Sequence, residues 1–396
     1  MTNPAGKTRA LAILIFAEIA GMSVWFSSAA VIADLKATTG LSPMVQAMLA
    51  SGVQAGFAVG ALLYAALGLA DRFDPRRVFA LSALAAAVAN AGLLLAPTNE
   101  TFAVFTRVMT GGLLAGVYPV GMKIAVGWGS KDRGLLVGLL VGALTLGSAA
   151  PHLLAFAGGA DWRLAVAGSS GLAVLGGGAV LFAGLGPHHA SAPAFRFDVL
   201  KRAWTDPRIR LAYAGYLGHM WELYAMWAWI GVALSTAFAA TMPPDAAAAS
   251  AKLAAFAAVG AGAIACVAAG FLADRIGKTE TTIIAMAGSG LAALAAAATF
   301  DGPPALFAAV VFVWGIFIIA DSAQFSALVA DAAPPEAAGA LLTLQTALGF
   351  ALTVVTVQSA PLVASAIGWP GLFCVLAIGP ALGVAAMSGL RANRTR

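Results

Sequence analysis

The sequence predicts an all-α integral membrane protein with twelve transmembrane helices in two six-helix halves. Hydrophobic residues make up 61% of the 396-residue chain and charged residues only 10%. A soluble domain carries about 25% charged residues, so most of this surface must face lipid. The segment Leu69-Ala70-Asp71-Arg72 also returns as Leu272-Ala273-Asp274-Arg275, half a chain later. Such a repeat predicts two similar membrane halves.

The number of spans follows from the apolar runs, because a helix needs about 20 apolar residues to cross a bilayer. The first run is longer than a signal-peptide core, so it is predicted to remain as span 1. The charge-free stretch between Glu336 and Arg391 is too long for one crossing, and Gly368-Trp369-Pro370-Gly371 predicts a turn within it. The predicted spans are 10–33, 43–69, 78–96, 101–128, 134–158, 162–184, 209–235, 250–271, 280–299, 304–329, 338–365 and 370–389.

The positive charges predict the orientation, because cytoplasmic loops carry an excess of Lys and Arg. With the N-terminus inside, 17 of the 22 basic residues fall in cytoplasmic segments. An even number of spans then places both termini in the cytoplasm, and the expected location is the cell (cytoplasmic) membrane. The net charge of +5 is thus attributed to membrane topology, and no nucleic-acid partner is expected.

A polar connection divides the chain into an N-terminal six-helix bundle at 1–185, a cytoplasmic linker at 186–208 and a C-terminal six-helix bundle at 209–396. The adjacent His188 and His189 lie in the linker without a nearby carboxylate or cysteine cluster. They therefore predict a solvated linker rather than a metal site, and no cofactor is expected. The mixed apolar and basic segment from Phe195 to Trp204 is predicted to lie along the inner membrane surface.

The second copy of the repeat carries a family resemblance. With its flanks it reads Gly270-Phe271-Leu272-Ala273-Asp274-Arg275-Ile276-Gly277-Lys278, which resembles the signature of the major facilitator superfamily after the second and eighth spans. The first copy has Leu67 and Asp74 in place of two glycines but keeps the Asp-Arg core. The resemblance implies a non-enzymatic secondary transporter of a small molecule, working by alternating access as a functional monomer.

By the same resemblance, the residues Asp71, Arg72, Asp274 and Arg275 would form a cytoplasmic gate. Asp71 would reach the N-terminus of span 11, where free backbone N–H groups favour an anion. Asp274 would similarly face the start of span 5. The alternative is that these charges only mark topology.

Charged residues inside apolar spans indicate the candidate site, since they are costly in a membrane unless they serve a function. Spans 1, 4, 7 and 10 line the cavity in the superfamily. Buried carboxyl groups favour their protonated form, so protons are the expected coupling ion. The candidates for binding substrate or protons are Glu18, Trp25, Arg107, Lys123, His219, Glu222, Tyr224, Asp321 and Gln324.

Several of these candidates have a structural alternative. His219 and Glu222 are three residues apart on one helix face, so they could tune each other's titration or only hold helices together. Arg107 could face the cavity or extend to the outer interface, and Lys123 could extend to the inner interface.

The resulting functional prediction is proton-coupled uptake of a small polar or anionic organic solute. Span 5 lacks the Gly-Pro pair of the superfamily's drug–proton antiporter signature, which weakens an efflux function. Efflux of an amphipathic or cationic compound and a membrane sensor or scaffold that moves nothing are the alternatives. A membrane enzyme would need a clustered acid–base or metal motif, which the sequence lacks.

Overall fold

The computed structural model describes residues 4–95, 99–130, 132–189 and 197–394. Across these residues every regular element is a helix. The chain divides into two compact units, Met1–Phe195 and Arg196–Arg396.

The first unit holds ten α-helices and two short 3-10 turns, at Gly92–Leu95 and Val180–Phe182. The helices are α1 (Pro4–Met22), α2 (Ser27–Ala30), α3 (Ile32–Thr39), α4 (Pro43–Leu67), α5 (Leu69–Arg72), α6 (Pro75–Ala91), α7 (Glu100–Leu114), α8 (Tyr118–Val126), α9 (Arg133–Gly158) and α10 (Trp162–Ala179).

The second unit has seven helical segments. They are α11 (Arg202–Thr205), α12 (Pro207–Ala239), α13 (Pro244–Ile276), α14 (Lys278–Thr299), α15 (Pro304–Ala320), α16 (Ser322–Ala332) and α17 (Pro335–Arg394). The last of these is two helices, because Gly368 interrupts it with φ 77° and ψ 168°. That left-handed backbone region favours glycine, and it falls at the turn predicted from the sequence.

Nine stretches of the described chain are long and apolar enough to cross a membrane. One of them, Pro335–Asn393, contains the two helices that meet at Gly368. Two further helices fall outside those nine: α1 carries charges near its start, and α12 contains many aromatic and polar residues. The described helices therefore accommodate the twelve predicted spans.

Many helices begin at proline, whose missing N–H is unused in the first turn. Examples are α4, α6, α12, α13 and α15. Ser42, Asp74 and Asp206 accept hydrogen bonds from first-turn backbone N–H groups as N-caps. These caps fix where three of the spans start.

Three of the predicted spans are interrupted within their length. Span 1 is non-helical at residues 23–26, span 4 at residues 115–117 and span 10 at Asp321. The break in span 4 precedes Pro119, which cannot donate the backbone hydrogen bond that would continue the helix. Tyr118 is the first residue of α8, directly after the break in span 4. The break at Asp321 lies 203 residues after Tyr118, the spacing that also separates Asp71 and Asp274.

Close helix packing places span 4 against span 2. A Cβ on Gly56 would lie 1.9 Å from the carbonyl oxygen of Val108, and one on Gly111 would lie 1.9 Å from that of Val53. Only glycine allows the backbones of α4 and α7 to approach this closely. This contact fixes α7, which carries Arg107.

Candidate functional site

Arg107 is fully buried in the first unit and holds the break in span 1. Its Nη2 donates to the carbonyl oxygens of Val24 and Trp25 at 3.0 and 2.6 Å, and its Nη1 donates to Ser27 Oγ at 3.1 Å and to Asn90 Oδ1. Residues 23–26 are not helical, so their carbonyl groups need partners from elsewhere. The planar guanidinium can reach several acceptors at once, as this break requires.

Asn90 extends this network to span 6. Its Nδ2 donates to Ser170 Oγ at 2.9 Å and to the carbonyl oxygen of Val166 at 3.2 Å, while its Oδ1 also accepts from Ser27 Oγ at 2.6 Å. Asn90 is itself fully buried. Spans 1, 3, 4 and 6 are therefore joined by one buried polar network.

The hydrogen-bond partners of the Arg107 guanidinium in the described chain are all neutral groups. Its positive charge is thus stabilised by dipoles without a carboxylate. Trp25, one of the predicted site residues, lies within this break, with its ring 4.9 Å from that of Phe57. The structure brings Arg107 and Trp25 together through the Trp25 backbone.

Glu18 is a buried carboxyl group on α1. It has 0% exposure, and neither carboxyl oxygen has a hydrogen-bond partner among the described residues. Its Oε2 lies against α8, where a Cβ on Gly121 would be 2.4 Å from it. Burial without a partner favours the neutral acid over the carboxylate.

Glu222 is also a buried carboxyl group, on α12 in the second unit, but two side chains donate hydrogen bonds to it. Its Oε1 accepts from Trp314 Nε1 at 2.8 Å, and its Oε2 accepts from Ser289 Oγ at 2.9 Å. All three side chains are buried. Glu222 therefore joins α12 to α14 and α15 through charge-assisted hydrogen bonds when it is ionised.

His219 contacts Asp321 rather than Glu222. The His219 Nδ1 lies 2.9 Å from Asp321 Oδ1, with side-chain exposures of 1% and 3%. Asp321 is the residue at which span 10 breaks between α15 and α16. The other imidazole nitrogen, Nε2, is buried and has no hydrogen-bond partner in the described chain.

Aromatic side chains surround this pair. The His219 ring lies 5.6 Å from that of Phe325 and 6.2 Å from that of Tyr216. Tyr224 lies further along α12, with its ring 5.0 Å from that of Phe350. Gln324 is buried in the first turn of α16, close in sequence to Asp321.

Lys123 belongs to the end of the spans rather than to their middle. Its Nζ binds Asp71 Oδ1 and donates to the carbonyl oxygen of Ala70 at 2.8 Å. The predicted gate residues Arg72, Asp274 and Arg275 are exposed. Lys123 is therefore a partner of the repeated Asp-Arg motif in the first unit.

The same end of the first unit contains two further charged clusters outside the spans. Arg76 lowers the pKa of the Asp74 carboxyl, chiefly through a side-chain hydrogen bond. His189 packs against Gly127, and burial lowers the pKa of its imidazole. Its Nδ1 is buried and lacks a hydrogen-bond partner among the residues described.

Comparison with known proteins identifies the family. The family model described as Major Facilitator Superfamily matches residues 11–353. The chain belongs to the major facilitator superfamily. No protein with a curated description matches the sequence. The crystal structure of the nucleoside transporter NupG (D323A mutant) matches with a TM-score of 0.70 and 14% identity, covering 96% of this chain and 99% of that one.

Membership of the major facilitator superfamily makes the chain a multi-pass secondary transporter of small molecules in a lipid bilayer, and not an enzyme. Within the residues that the structure describes, no group of three or more metal-ligating side chains occurs.

The residues of this major facilitator protein's buried networks that were missed from the sequence include Asn90, Ser289 and Trp314. Asn90 carries a signal, because it is an amide in an otherwise apolar span and needs partners there. Ser289 lies between two glycines, and Trp314 lies in a strongly apolar helix. Neither pattern distinguishes a functional partner of a carboxylate from ordinary helix packing.

Proposed function

We propose that this protein moves a small polar or anionic organic solute across the cytoplasmic membrane by proton-coupled alternating access. The observation that carries the proposal is the contact between His219 and Asp321 in the second unit. It lies deep in the protein, at the break in span 10, where a change in protonation can be linked to a change in helix position.

A histidine beside a carboxylate suits proton coupling because the pair has no net charge while it holds one proton and acquires a buried net charge when that proton leaves. With His219 protonated, the two side chains form an ion pair. When that proton leaves, His219 is neutral and the Asp321 carboxylate remains as an uncompensated buried charge, which favours a rearrangement of the helices around it. The unpartnered Nε2 of His219 provides a second position for a proton or for a hydrogen bond from the solute. These properties support His219 and Asp321 as the proton-binding residues.

Glu18 is the second candidate for proton binding. Among the described residues it has no partner that would stabilise its carboxylate, whereas Glu222 has Trp314 and Ser289. We therefore assign Glu18 to proton binding and Glu222 mainly to holding its helices together.

The preference for a polar or anionic solute rests on Arg107, whose buried positive charge has only neutral hydrogen-bond partners in the described chain. Such a charge favours an anion nearby, even without direct contact. One similar solved structure is that of a nucleoside transporter, and nucleosides are small polar solutes. At 14% identity the likeness concerns the fold, so nucleosides form one group of a wider substrate panel.

The gating proposal concerns the repeated motif. Asp71 and Arg72 in the first unit, with Asp274 and Arg275 in the second, are proposed to control opening on the cytoplasmic side. Lys123 supports this role for Asp71 because it binds the carboxylate directly. We further propose that both termini are cytoplasmic and that the monomer is the functional form.

The test is transport by purified protein in proteoliposomes. A thermal-shift screen against organic acids, nucleosides, sugars and amphipathic cations first identifies a ligand, since binding to the native state raises its stability. Uptake of that ligand is then measured with and without an imposed pH gradient. We expect the gradient to drive accumulation, and H219Q and D321N to abolish the gradient effect, whereas H188Q at the exposed linker histidine retains it.

Two results would contradict the proposal. Equal uptake with and without the gradient in the unaltered protein would indicate a uniporter or an exchanger. Selective stabilisation by amphipathic cations would favour efflux over uptake of a polar or anionic solute.

A further inference from the structure

We propose that residues 197–210, at the start of the second unit, form a binding surface for the headgroup of an anionic phospholipid. This segment contains α11 and the first turn of α12. The proposal goes beyond transport, and its test measures lipid binding alone. It can therefore fail or succeed independently of the proposed function.

One side of this segment packs against the rest of the protein. Val199 has 7% exposure and Ala203 has 0%, whereas Phe197 and Trp204 have 72% and 55%. The Trp204 ring packs edge-on against Tyr213 of α12, with 6.4 Å between ring centroids. The segment is thus held in place while it presents two aromatic side chains outward, beside a membrane-spanning helix. Aromatic rings in this position are favoured at the membrane–water interface.

The segment also carries exposed cations. Lys201, Arg202 and Arg210 are exposed, and Arg210 Nη1 donates to the backbone carbonyl of Trp204 at 3.1 Å. That hydrogen bond leaves the positive charge of Arg210 without a carboxylate partner among the described contacts. The bond also fixes the guanidinium at the backbone of Trp204.

The acids of the segment do not cancel this charge. The Asp206 Oδ1 accepts from the backbone N–H groups of Arg208 and Ile209 at 2.8 and 3.4 Å, and its Oδ2 lies 3.7 Å from Arg208 Nη2. Asp206 is therefore occupied as the cap of α12 and as the partner of Arg208. Against the remaining acid, Asp198, the segment retains the three cations named above, an excess of two positive charges.

The combination selects a lipid over other anions. An anionic phospholipid offers a phosphate for the cations and acyl chains for the exposed aromatic rings, so it can use both features at once. A free phosphate ion uses only the cations. Each cation near an anionic membrane surface strengthens binding by roughly fivefold.

The experiment uses the full-length protein in detergent and measures lipid affinity by native mass spectrometry. Phosphatidylglycerol is titrated against the unaltered protein and against K201Q/R202Q, with phosphatidylcholine as the neutral lipid. We expect the double variant to bind phosphatidylglycerol roughly 30-fold more weakly and to bind phosphatidylcholine unchanged. Unchanged binding of phosphatidylcholine also shows that the variant is folded.

Two further variants localise the effect. R391Q removes an exposed cation from the last turns of α17 and is expected to lower phosphatidylglycerol affinity by about fivefold or less. F197S is expected to weaken binding of both lipids, because it removes an exposed apolar ring. Inorganic phosphate is expected to leave the bound lipid in place.

Three outcomes would overturn the proposal. The first is an unchanged phosphatidylglycerol affinity in K201Q/R202Q. The second is a loss in R391Q as large as that in the double variant, which would indicate diffuse surface charge. The third is displacement of the lipid by millimolar inorganic phosphate, which would indicate a simple anion site.

Discussion

Asn90 Oδ1 accepts hydrogen bonds from both Arg107 Nη1 and Ser27 Oγ, so one amide oxygen joins spans 1, 3 and 4. The same side chain donates to span 6 through its nitrogen. A neutral amide therefore organises the surroundings of a buried guanidinium. The stability of the first unit should depend on it.

Replacing Asn90 with leucine tests this dependence. The change keeps the approximate size but leaves Arg107 Nη1 and Ser27 Oγ without their shared acceptor. We expect the free energy of unfolding to fall by about 2–3 kcal/mol, because a hydrogen bond to a charged buried group contributes about 1.5–3 kcal/mol. Denaturant unfolding of the purified protein measures it. The matched control is S82A, which loses the hydroxyl contact between the buried Ser82 and Tyr64; equal losses in both variants would contradict the central role of Asn90.

Two substitutions of Arg107 separate its geometry from its charge. R107K keeps the positive charge but cannot bind two backbone carbonyls and Asn90 together, so both R107K and R107Q should be destabilised by about 2 kcal/mol or more. R107Q alone should lower the ratio of anionic to neutral solute uptake. Stability and proteoliposome uptake are measured on the same preparations. An unchanged ratio in R107Q would remove Arg107 from solute selection.

Glu222 and Trp314 form a pair suited to a double-mutant cycle. E222Q replaces a carboxylate, which only accepts hydrogen bonds, with an amide whose NH2 group also needs an acceptor. W314F removes the indole N–H. We expect each single change to lower the free energy of unfolding by about 1–3 kcal/mol, with a coupling of about 1–2 kcal/mol in the double variant. The combination of E222Q with S82A, in the other unit, is the additive control. A coupling near zero would show that the hydrogen bond contributes little.

The contact between Lys123 and Asp71 should affect gating more than stability. Both side chains are partly exposed, at 19% and 28%, so a cycle of K123Q and D71N should give a coupling of about 0–1 kcal/mol in unfolding. Uptake should fall in either single variant and recover partly in the charge-reversed pair K123D/D71K. Uptake that is unaffected by every one of these changes would argue against a gating role.

His189 predicts a pH dependence of stability. Burial is the largest cause of its lowered pKa; the positive Lys123 and Arg76 lower it further, and the negative Asp71 and Asp74 raise it. The unfolded chain therefore binds this proton more readily than the folded one, so stability falls as the pH drops below about 6.5 and through the folded-state pKa. H189Q should reduce the slope of the unfolding free energy against pH, as measured by unfolding at a series of pH values.

The neighbouring residue supplies the control for this measurement. His188 is exposed, so H188Q should leave the slope as it is in the unaltered protein. A slope that is equally reduced in both variants would assign the effect to the linker charge in general.

Much of the fold was predictable because lipid imposes a simple rule. Apolar runs of about 20 residues must become helices, and the turn at Gly368 was expected because glycine and proline cluster there. The break in span 1 was missed because it is stabilised by a partner distant in sequence. Arg107 lies about 80 residues from the carbonyl groups that it satisfies in span 1.

The candidate site was predictable by residue type but not by pairing. Buried charges such as Glu18, Glu222 and Asp321 stand out against an apolar background. Their partners do not, since helix spacing predicts His219 beside Glu222 while the structure places it beside Asp321. Spacing along one helix describes a shared face, whereas the partner is chosen by the neighbouring helix that packs on that face.

The two buried networks also differ in the order in which ribosomal synthesis supplies their members. Val24, Trp25, Ser27 and Asn90 all precede Arg107 in the chain, so the guanidinium enters the bilayer after its acceptors have been made. Glu222 precedes Ser289 and Trp314, and His219 precedes Asp321. Span 7 therefore has to wait in the membrane during biogenesis until spans 9 and 10 arrive, and its carboxyl group must spend that interval protonated or sheltered.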